Sequence, residues 1–538
     1  MRLSPIVYKE WLKLRQLAFV MLAFAVLSGG YFVVDVVGQF ANIEPESMMW
    51  YRYSHLGDKP YWWVKYVFML IATGVALGQF IPEVVGNRIR ILMHLPLSVD
   101  SIIAQHLAVG ASIILIINAL LSLIVLATTN YYYPIDVVQA SCRDLLLAQL
   151  PVIALYFGLV AVMIENDWRR KLLKLVMTSA AVIFASKNHY QWQDSAGLGV
   201  LIWLLLPLKD SFLSIKTRRL SNKGYVLCFS LVLSALLGTI GVRVYNQYAT
   251  TMTHYYVFYS HRLQEYVYQR NAPNHRFFYG TSTQQLDKSQ FENALPFVYW
   301  KNFDIQGKLP IEISGVSYDK PSIRRSRLSL QYTPKRFQET NLPLYPLFNP
   351  ISDRGSIRFP ENAFAPHGDG FQVYAAERAQ LNTELSDELN QLAEAQNVEF
   401  PIKAIWGKTT NMKPFDWGYF VKDSAGKLFN LRRADSQLSL VSVPALESGE
   451  EIAHIQVSEN RHKKFYGYAV TQSDQIYLLG YPDYQWIKLD IDHFDRQTMS
   501  FQLLADPINY LLRYDDGRRY YAVRFDKHYR RLDDIVFE

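Results

Sequence analysis

The chain has 538 residues, of which 50% are hydrophobic, 14% aromatic and 19% charged, with two cysteines and a formal net charge of +7. That length supports more than one core, and the cysteine scarcity excludes a disulfide-stapled fold. The basic surplus lies in one half, with 21 Lys/Arg against 13 Asp/Glu up to Tyr245 and 34 against 35 beyond it, so the positive charge is not a nucleic-acid signature.

Long uncharged apolar runs extend roughly over residues 17–34, 66–82, 107–135, 145–164, 175–186, 195–208 and 224–242. A helix rises about 1.5 Å per residue and the hydrocarbon core is about 30 Å thick, so the first four and the seventh are long enough to cross. The fifth and sixth are shorter; with Lys171, Lys174, Lys187, Lys209 and Asp210 reaching from their ends to the interface, they form two spans or a re-entrant hairpin. The first run lacks a small-residue cleavage pattern and reads as an anchor.

Basic residues set the expected orientation. With a cytoplasmic N-terminus, the inner loops hold fifteen Lys/Arg and the outer ones five, as the positive-inside rule requires. Trp50, Tyr51, Tyr61, Trp62, Trp63 and Tyr131 to Tyr133 cluster at the expected outer ends, where aromatic rings favour the interface. Seven crossings then place everything after Tyr245 outside. Ionisable residues are expected to be scarce at mid-depth, with Asp35 and Lys65 near outer ends and Asn118 and Gln149 merely polar, which disfavours an ion-coupled transporter.

Ahead of the first run, Ile6, Val7, Trp11, Leu14 and Leu17 recur at helical spacing among Lys9, Glu10, Lys13 and Arg15, predicting an amphipathic interface helix over residues 1–16. After the second run, Pro82 is placed to open a short cytoplasmic helix and Pro96 to end it, giving a helix over 82–97 with Arg88 and Arg90 beside apolar residues.

The KEWLKLR helix, a span, a helical inner loop ending LMHLPLS and six spans in total resemble the permease half of type-2 ABC transporters, exporters of O-antigen, drugs and lipids. The similarity covers about the first 215 residues. It implies that the second inner loop is a coupling helix, in which Glu83, Gly86, Arg88, Arg90, Leu92, Leu95 and Pro96 meet a cytoplasmic ATPase. A protrusion seated in a motor's groove must be structured, exposed and of mixed polarity to transmit motion. The resemblance also implies a second permease subunit, as a homo- or heterodimer. The chain has no phosphate loop of its own: its Gly407-Lys408-Thr409 has Ile402 where the first glycine is needed. No cofactor is expected in the chain, and ATP enters only through the partner.

From residue 246 the pattern changes to short stretches rich in Tyr, Phe, Val and Leu, broken by Pro, Gly and Asp, which predicts a β-rich domain to residue 538. One helix is expected over 376–396, with Leu381, Leu385, Leu389 and Leu392 on one face, and a second over 248–269 continuing the last span. Residues 418–431, 467–479 and 509–523 each read as strand, tight turn, strand, followed by strands at 485–489 and 530–536. Their spacing of 40 to 50 residues fits propeller blades, and equally a meander or sandwich; the propeller-like reading is preferred.

ALPFVYW (294–300), GKLP (307–310), LPLYPLF (342–348), FPIKAIWGKTTNMKPFDWGYFVKD (400–423) and ENRHKKFYGYAVT (459–471) resemble an uncharacterised family of Gram-negative bacterial membrane proteins. No hydrolase or metalloprotease motif and no cysteine nucleophile occurs in this half, so no enzyme is expected. Asp490, Asp492 and Asp495 lack the glycine of a calcium loop, and His367 and Asp369 between glycines read as a turn. Lys413, Asp416 and Trp417 read as a buried structural corner.

These features predict a permease-like subunit of an ATP-driven complex in the bacterial inner membrane. It would export or extract an envelope-associated or hydrophobic substrate, with its β domain in the periplasm. The alternative is a membrane-anchored sensor or scaffold that binds a partner through the β domain.

Overall fold

The computed structural model describes residues 4–43, 46–86, 88–92, 97–187, 195–215, 238–245, 254–272, 276–334, 342–351, 357–377, 380–447, 449–459 and 463–538. The chain divides into two compact units, residues 1–247 with 377–379, and residues 248–376 with 380–538.

The first unit is helical. α1 (Pro5–Gly38) continues into a π turn, Gln39–Ile43, and is followed by α2 (Glu46–Leu56), α3 (Val64–Val85), α4 (Arg88–Leu92) and α5 (Val99–Tyr132). α6 (Ile135–Leu147) and α7 (Gln149–Ile164) abut; α8 (Trp168–Ala185) and α9 (Ala196–Ile215) follow, and residues 238–244 are helical as well. Five helical segments among the described residues are long and apolar enough to cross a membrane: α1 with its extension, α3, α5, α6 with α7, and α9. The unit is therefore membrane-associated. α8 begins with Arg169, Arg170 and Lys171, is about 27 Å long, and packs on α7 and α9 through Ala154, Ala181 and Leu204. Most of the expected seventh run lies outside the described residues.

Two expectations change here. α1 runs unbroken from Pro5, its N-terminal part leading straight into the first apolar run. Its buried stripe is Ile6, Glu10 and Leu14, while Trp11 stays exposed, because Glu10 pairs with Lys13 and accepts from the buried Gln79 amide. Pro82 does not open a helix; it lies inside α3, which ends at Val85 with Gly86 N–H bonded to the Pro82 carbonyl at 3.3 Å. The expected helix over 82–97 is thus the last turn of α3 plus the five-residue α4, and Leu95 and Pro96 lie outside the described residues.

The second unit is mainly β, and all its sheets are antiparallel. The first sheet contains β1 (His254–Ser260), β2 (Glu265–Ala272), β3 (Arg276–Thr281) and β4 (Gln285–Leu286). The predicted helix over 248–269 is therefore a hairpin at its described positions: HYYVFYS is aromatic and β-branched, and Gln264, at φ 56°, lies in the tight turn. β5 (Ile311–Ile313) and β6 (Val316–Tyr318) form a ribbon, and β7 (Leu328–Tyr332) pairs much later in the chain. The second sheet has the order β10 (Gly370–Ala375), β9 (Asn362–His367), β8 (Tyr345–Pro346), with His367 and Asp369 at its expected turn.

Two four-stranded meanders follow: β11 (Ala404–Gly407), β12 (Tyr419–Lys422), β13 (Leu428–Ala434), β14 (Gln437–Val443), then β15 (Ile452–Val457), β16 (Phe465–Thr471), β17 (Ile476–Gly480), β18 (Trp486–Lys488). The last sheet runs β22 (Arg531–Phe537), β21 (Tyr520–Phe525), β20 (Tyr510–Asp515), β19 (Ser500–Ala505), β7. The three predicted strand–turn–strand segments are the hairpins β12–β13, β16–β17 and β20–β21.

Among the described residues of the unit there are also four short helices: α10 (Lys288–Ala294), α11 (Trp300–Ile305), α12 (Lys320–Ser326) and α13 (Thr383–Ala395). α13 starts after the predicted 376, because the Asn382 side chain caps it by accepting from Leu385 N–H at 3.1 Å. Leu385 and Leu389 are buried, while Leu381 stays exposed in a bridge to Tyr374.

The sheets stack face to face. Val373, Phe364 and Leu389 meet Val421 and Leu431; on the other face of that meander Phe420 and Leu428 meet Ile455 and Leu479. Tyr468, Val470 and Leu478 then meet Leu330, Leu503, Leu512 and Val523 of the last sheet, whose far face, with Leu511 and Ala522, packs on Val257 and Tyr266 of the first. α10 covers the outside of that sheet through Phe291. Strands buried on both faces have no polar side, which is why β12 and β16 are buried at every residue. Stacked meanders share the face-to-face packing of propeller blades, but among the described residues the sheets close neither a propeller nor a barrel.

Leu478 is 1% exposed between two sheets. Leu478→Ala is expected to destabilise the β unit by about 2–5 kcal/mol through the cavity it leaves, read as a lower denaturation midpoint in tryptophan fluorescence.

Candidate functional site

Helix ends meet on one face of the membrane unit: the starts of α1, α5 and α8, the end of α7 and the last turns of α3 and α9. Glu83, one residue after Pro82, points inward. Its Oε1 accepts from Lys9 Nζ and Lys13 Nζ, each at 2.9 Å, and Lys13 also meets Glu10 Oε1 at 2.7 Å. Gln79 donates to Glu10 Oε2 at 3.0 Å and to the His106 carbonyl at 2.9 Å, while the Tyr156 hydroxyl donates to Gln79 Oε1 at 2.6 Å. His106 Nε2 lies 3.5 Å from Glu10. One polar network therefore ties α1, α3, α5 and α7. Gly110 makes it possible, because a Cβ there would overlap the Tyr156 hydroxyl and the Gln79 amide.

A second network lies beside it. Lys174 Nζ, fully buried, donates to Glu165 Oε2 at 2.6 Å, Asp210 Oδ2 at 3.0 Å and Ser211 Oγ at 2.6 Å, and Arg170 meets Asp210 at 3.3 Å. Lys209 pairs with Asp100 at 2.7 Å, joining α9 to the start of α5. Each network balances two carboxylates against two cations, as a medium that solvates no lone charge requires. The opposite end is aromatic: Phe40 stacks on Tyr132 with ring centroids 4.8 Å apart, Trp50 donates to the Tyr132 carbonyl, and the Tyr53 and Tyr61 hydroxyls lie 2.7 Å apart.

These charges lie at helix ends and not at mid-depth, but the reading of the end residues changes. Lys174 and Asp210, read as reaching the interface, pair inward, and Glu10, Glu83 and Glu165 are buried with them. The legible signal was a carboxylate near each helix end that holds a lysine or arginine; the pairing across elements 70 or more residues apart was not legible.

The residues read from the sequence as a coupling helix separate. Glu83 is buried and anchors, whereas Arg88, Arg90 and Gly86 are exposed, Ile91 is 71% exposed and Ile89 is buried beneath them. α4 is therefore a short basic and apolar projection, standing on a helix whose last turn is ion-paired to α1.

In the β unit, Lys413 Nζ lies 2.6 Å from Asp416, 3.2 Å from Glu459 and 4.0 Å from the Phe348 ring centre, and Glu459 Oε1 also accepts from Trp417 N–H at 2.9 Å. Two carboxylates share one ammonium out of water. Burial pushes the Glu459 carboxyl up to about 7, with Asp416 adding to the rise and Lys413 opposing it. This is a buried corner, as its sequence suggested. Asp492 pairs with Arg531 at 2.8 Å, tying its loop to the last strand, and Asp495 accepts from Gln497 N–H and Thr498 Oγ1 within its own turn. Among the described residues no group of three or more His, Cys, Asp or Glu is arranged to hold a metal ion.

Residues 256–523 match the family described as Domain of unknown function (DUF4857). The match covers most of the β-rich half and none of the helical one. No curated protein matches the chain.

Lys174→Met leaves Glu165 and Asp210 under-compensated in the bundle and is expected to cost about 3–5 kcal/mol, seen as a lower melting temperature in detergent. The raised Glu459 carboxyl means that the folded state binds its proton more tightly than the unfolded chain does. Its stabilising contribution is therefore full below the ordinary glutamate range and lost as pH rises through about 7. Wild type should lose stability between pH 5 and pH 8 by about 1–3 kcal/mol more than Glu459→Gln, measured by paired melts.

Proposed function

We propose that this chain is the permease-like membrane subunit of an ATP-driven transport complex in the bacterial inner membrane. In this reading its charged helix-end face is cytoplasmic and its β unit periplasmic. The observation that carries it is the anchoring of α4: exposed Arg88, Arg90 and Ile91 offer a mixed surface to a partner, and Glu83, five residues earlier, is bonded to Lys9 and Lys13 of α1. A push on α4 would therefore be delivered to α3 and α1 together, because Glu83 is buried and separating it from Lys9 and Lys13 would leave its charge uncompensated. The fifteen-to-five bias of Lys and Arg supports the orientation, and in this reading ATP hydrolysis belongs to a separate ATPase subunit, since this sequence carries no phosphate loop. A second permease subunit would complete the path, and the cargo would be hydrophobic or envelope-bound.

A membrane-anchored receptor is the second reading, favoured by a large cavity in the β unit. The two readings differ in whether a motor binds.

Affinity purification of the full chain from its native membrane is expected to retain an ATPase in fixed ratio, and Arg88→Glu with Arg90→Glu to release most of it while the melting temperature is unchanged. An unchanged ATPase yield, or none with the wild type, contradicts the proposal.

A further inference from the structure

The β unit contains a cavity of about 820 Å³ at the rim where the last two sheets meet. Its wall is formed by α12, the first residue of β7, the start of β16, the β19–β20 connection and the turn before β22. The charged side chains that line it are Lys320, Arg324, Arg325, Lys464 and Lys527, and among the described residues that line it there is no carboxylate. Phe465, Leu328 and Tyr510 supply an apolar and aromatic side.

Part of this charge is not neutralised locally. Lys320 meets Asp304 at 2.6 Å, whereas Arg324 and Lys464 are exposed and pair with no carboxylate among the described residues. Lys527 is half-buried over the Tyr510 ring, 4.7 Å from its centre, and donates to the Asp506 backbone carbonyl; the Asp506 carboxylate is taken by His261 at 2.7 Å. Burial pushes the Lys527 ammonium down to about 8, Asp506 opposes this, and the charge of Lys464 adds to the fall. The lysines therefore repel, and folding holds them together at a cost that a bound anion would relieve.

We propose that this cavity is a binding site for a phosphoryl-bearing organic anion of sugar-phosphate or lipid-headgroup size. Arginine forks and lysine point charges together fit a multiply charged oxyanion better than a single carboxylate. The volume is far larger than inorganic phosphate needs and lies within the range of small-molecule sites, and the aromatic side provides a face for the organic part. The site depends on no ATPase partner, so its test stands whether or not a motor co-purifies.

The test uses the full-length protein in nonionic detergent, with glucose 6-phosphate and glucose as calorimetric probes. Glucose 6-phosphate is expected to bind saturably and glucose not. Arg324→Gln with Lys464→Gln should weaken binding by about tenfold or more, and Lys288→Gln, on α10 and outside the cavity, should leave it unchanged. Both altered residues are exposed, so the fold is retained and an unchanged melting temperature verifies it. Competition by phosphatidylglycerol vesicles but not by phosphatidylcholine vesicles assigns the anion to a lipid headgroup; failure of both to compete assigns it to a soluble phosphate. No binding up to about 10 mM, equal binding of glucose, or equal affinity in the double variant overturns the proposal.

Discussion

A charge withdrawn from water into a helical bundle must bring its opposite with it, and the membrane unit is organised around that constraint. Glu10 and Glu83 answer Lys9 and Lys13, and Glu165 and Asp210 answer Lys174 and Arg170. The cost of desolvating these groups is offset only when geometry and hydrogen bonds are complete, so each network fixes where the helices holding it end and which of them are neighbours. Gln79 and Tyr156 extend the first network to α7, and Gly110 leaves them the space. At the other end of the bundle aromatic stacking acts together with the Lys59–Asp144 pair and the Tyr61 bond to Asp144.

The same networks give α4 its mechanical interest. A five-residue helix has little stability of its own. α4 is held because Ile89 is buried and because the turn before it is bonded through Glu83 to the start of α1. The ion pairs give this projection a base tied across elements, and the proposed coupling to a partner rests on that.

The β unit meets a different requirement. Its antiparallel meanders have apolar residues on both faces, so none can remain single, and the stack ends where α13 with the second sheet covers one outer face and α10 the other. β7, from a segment 168 residues before β19, completes the last sheet at Leu330 opposite Leu503. The surface of such a stack keeps the side chains that no sheet covers, and the basic cavity lies there.

Local chemistry in the sequence determined much: apolar runs long enough for lipid, the change to β at the middle of the chain, the hairpins at residues 418–431, 467–479 and 509–523, and the leucine face of α13. These are legible because hydrophobic periodicity, turn residues and run length act over a few neighbours. Reading failed where distant partners decide. Pro82 fell inside α3 rather than at a helix start, Glu10 turned inward while Trp11 stayed out, and Lys174 paired instead of reaching the interface. The cavity was equally hidden, since Arg324, Lys464 and Lys527 are separated by up to about two hundred residues and only folding makes them neighbours. Run length and periodicity thus set the class of each half, and tertiary structure alone chose the partner of each charge, because electrostatic compensation depends on distance in space and not along the chain.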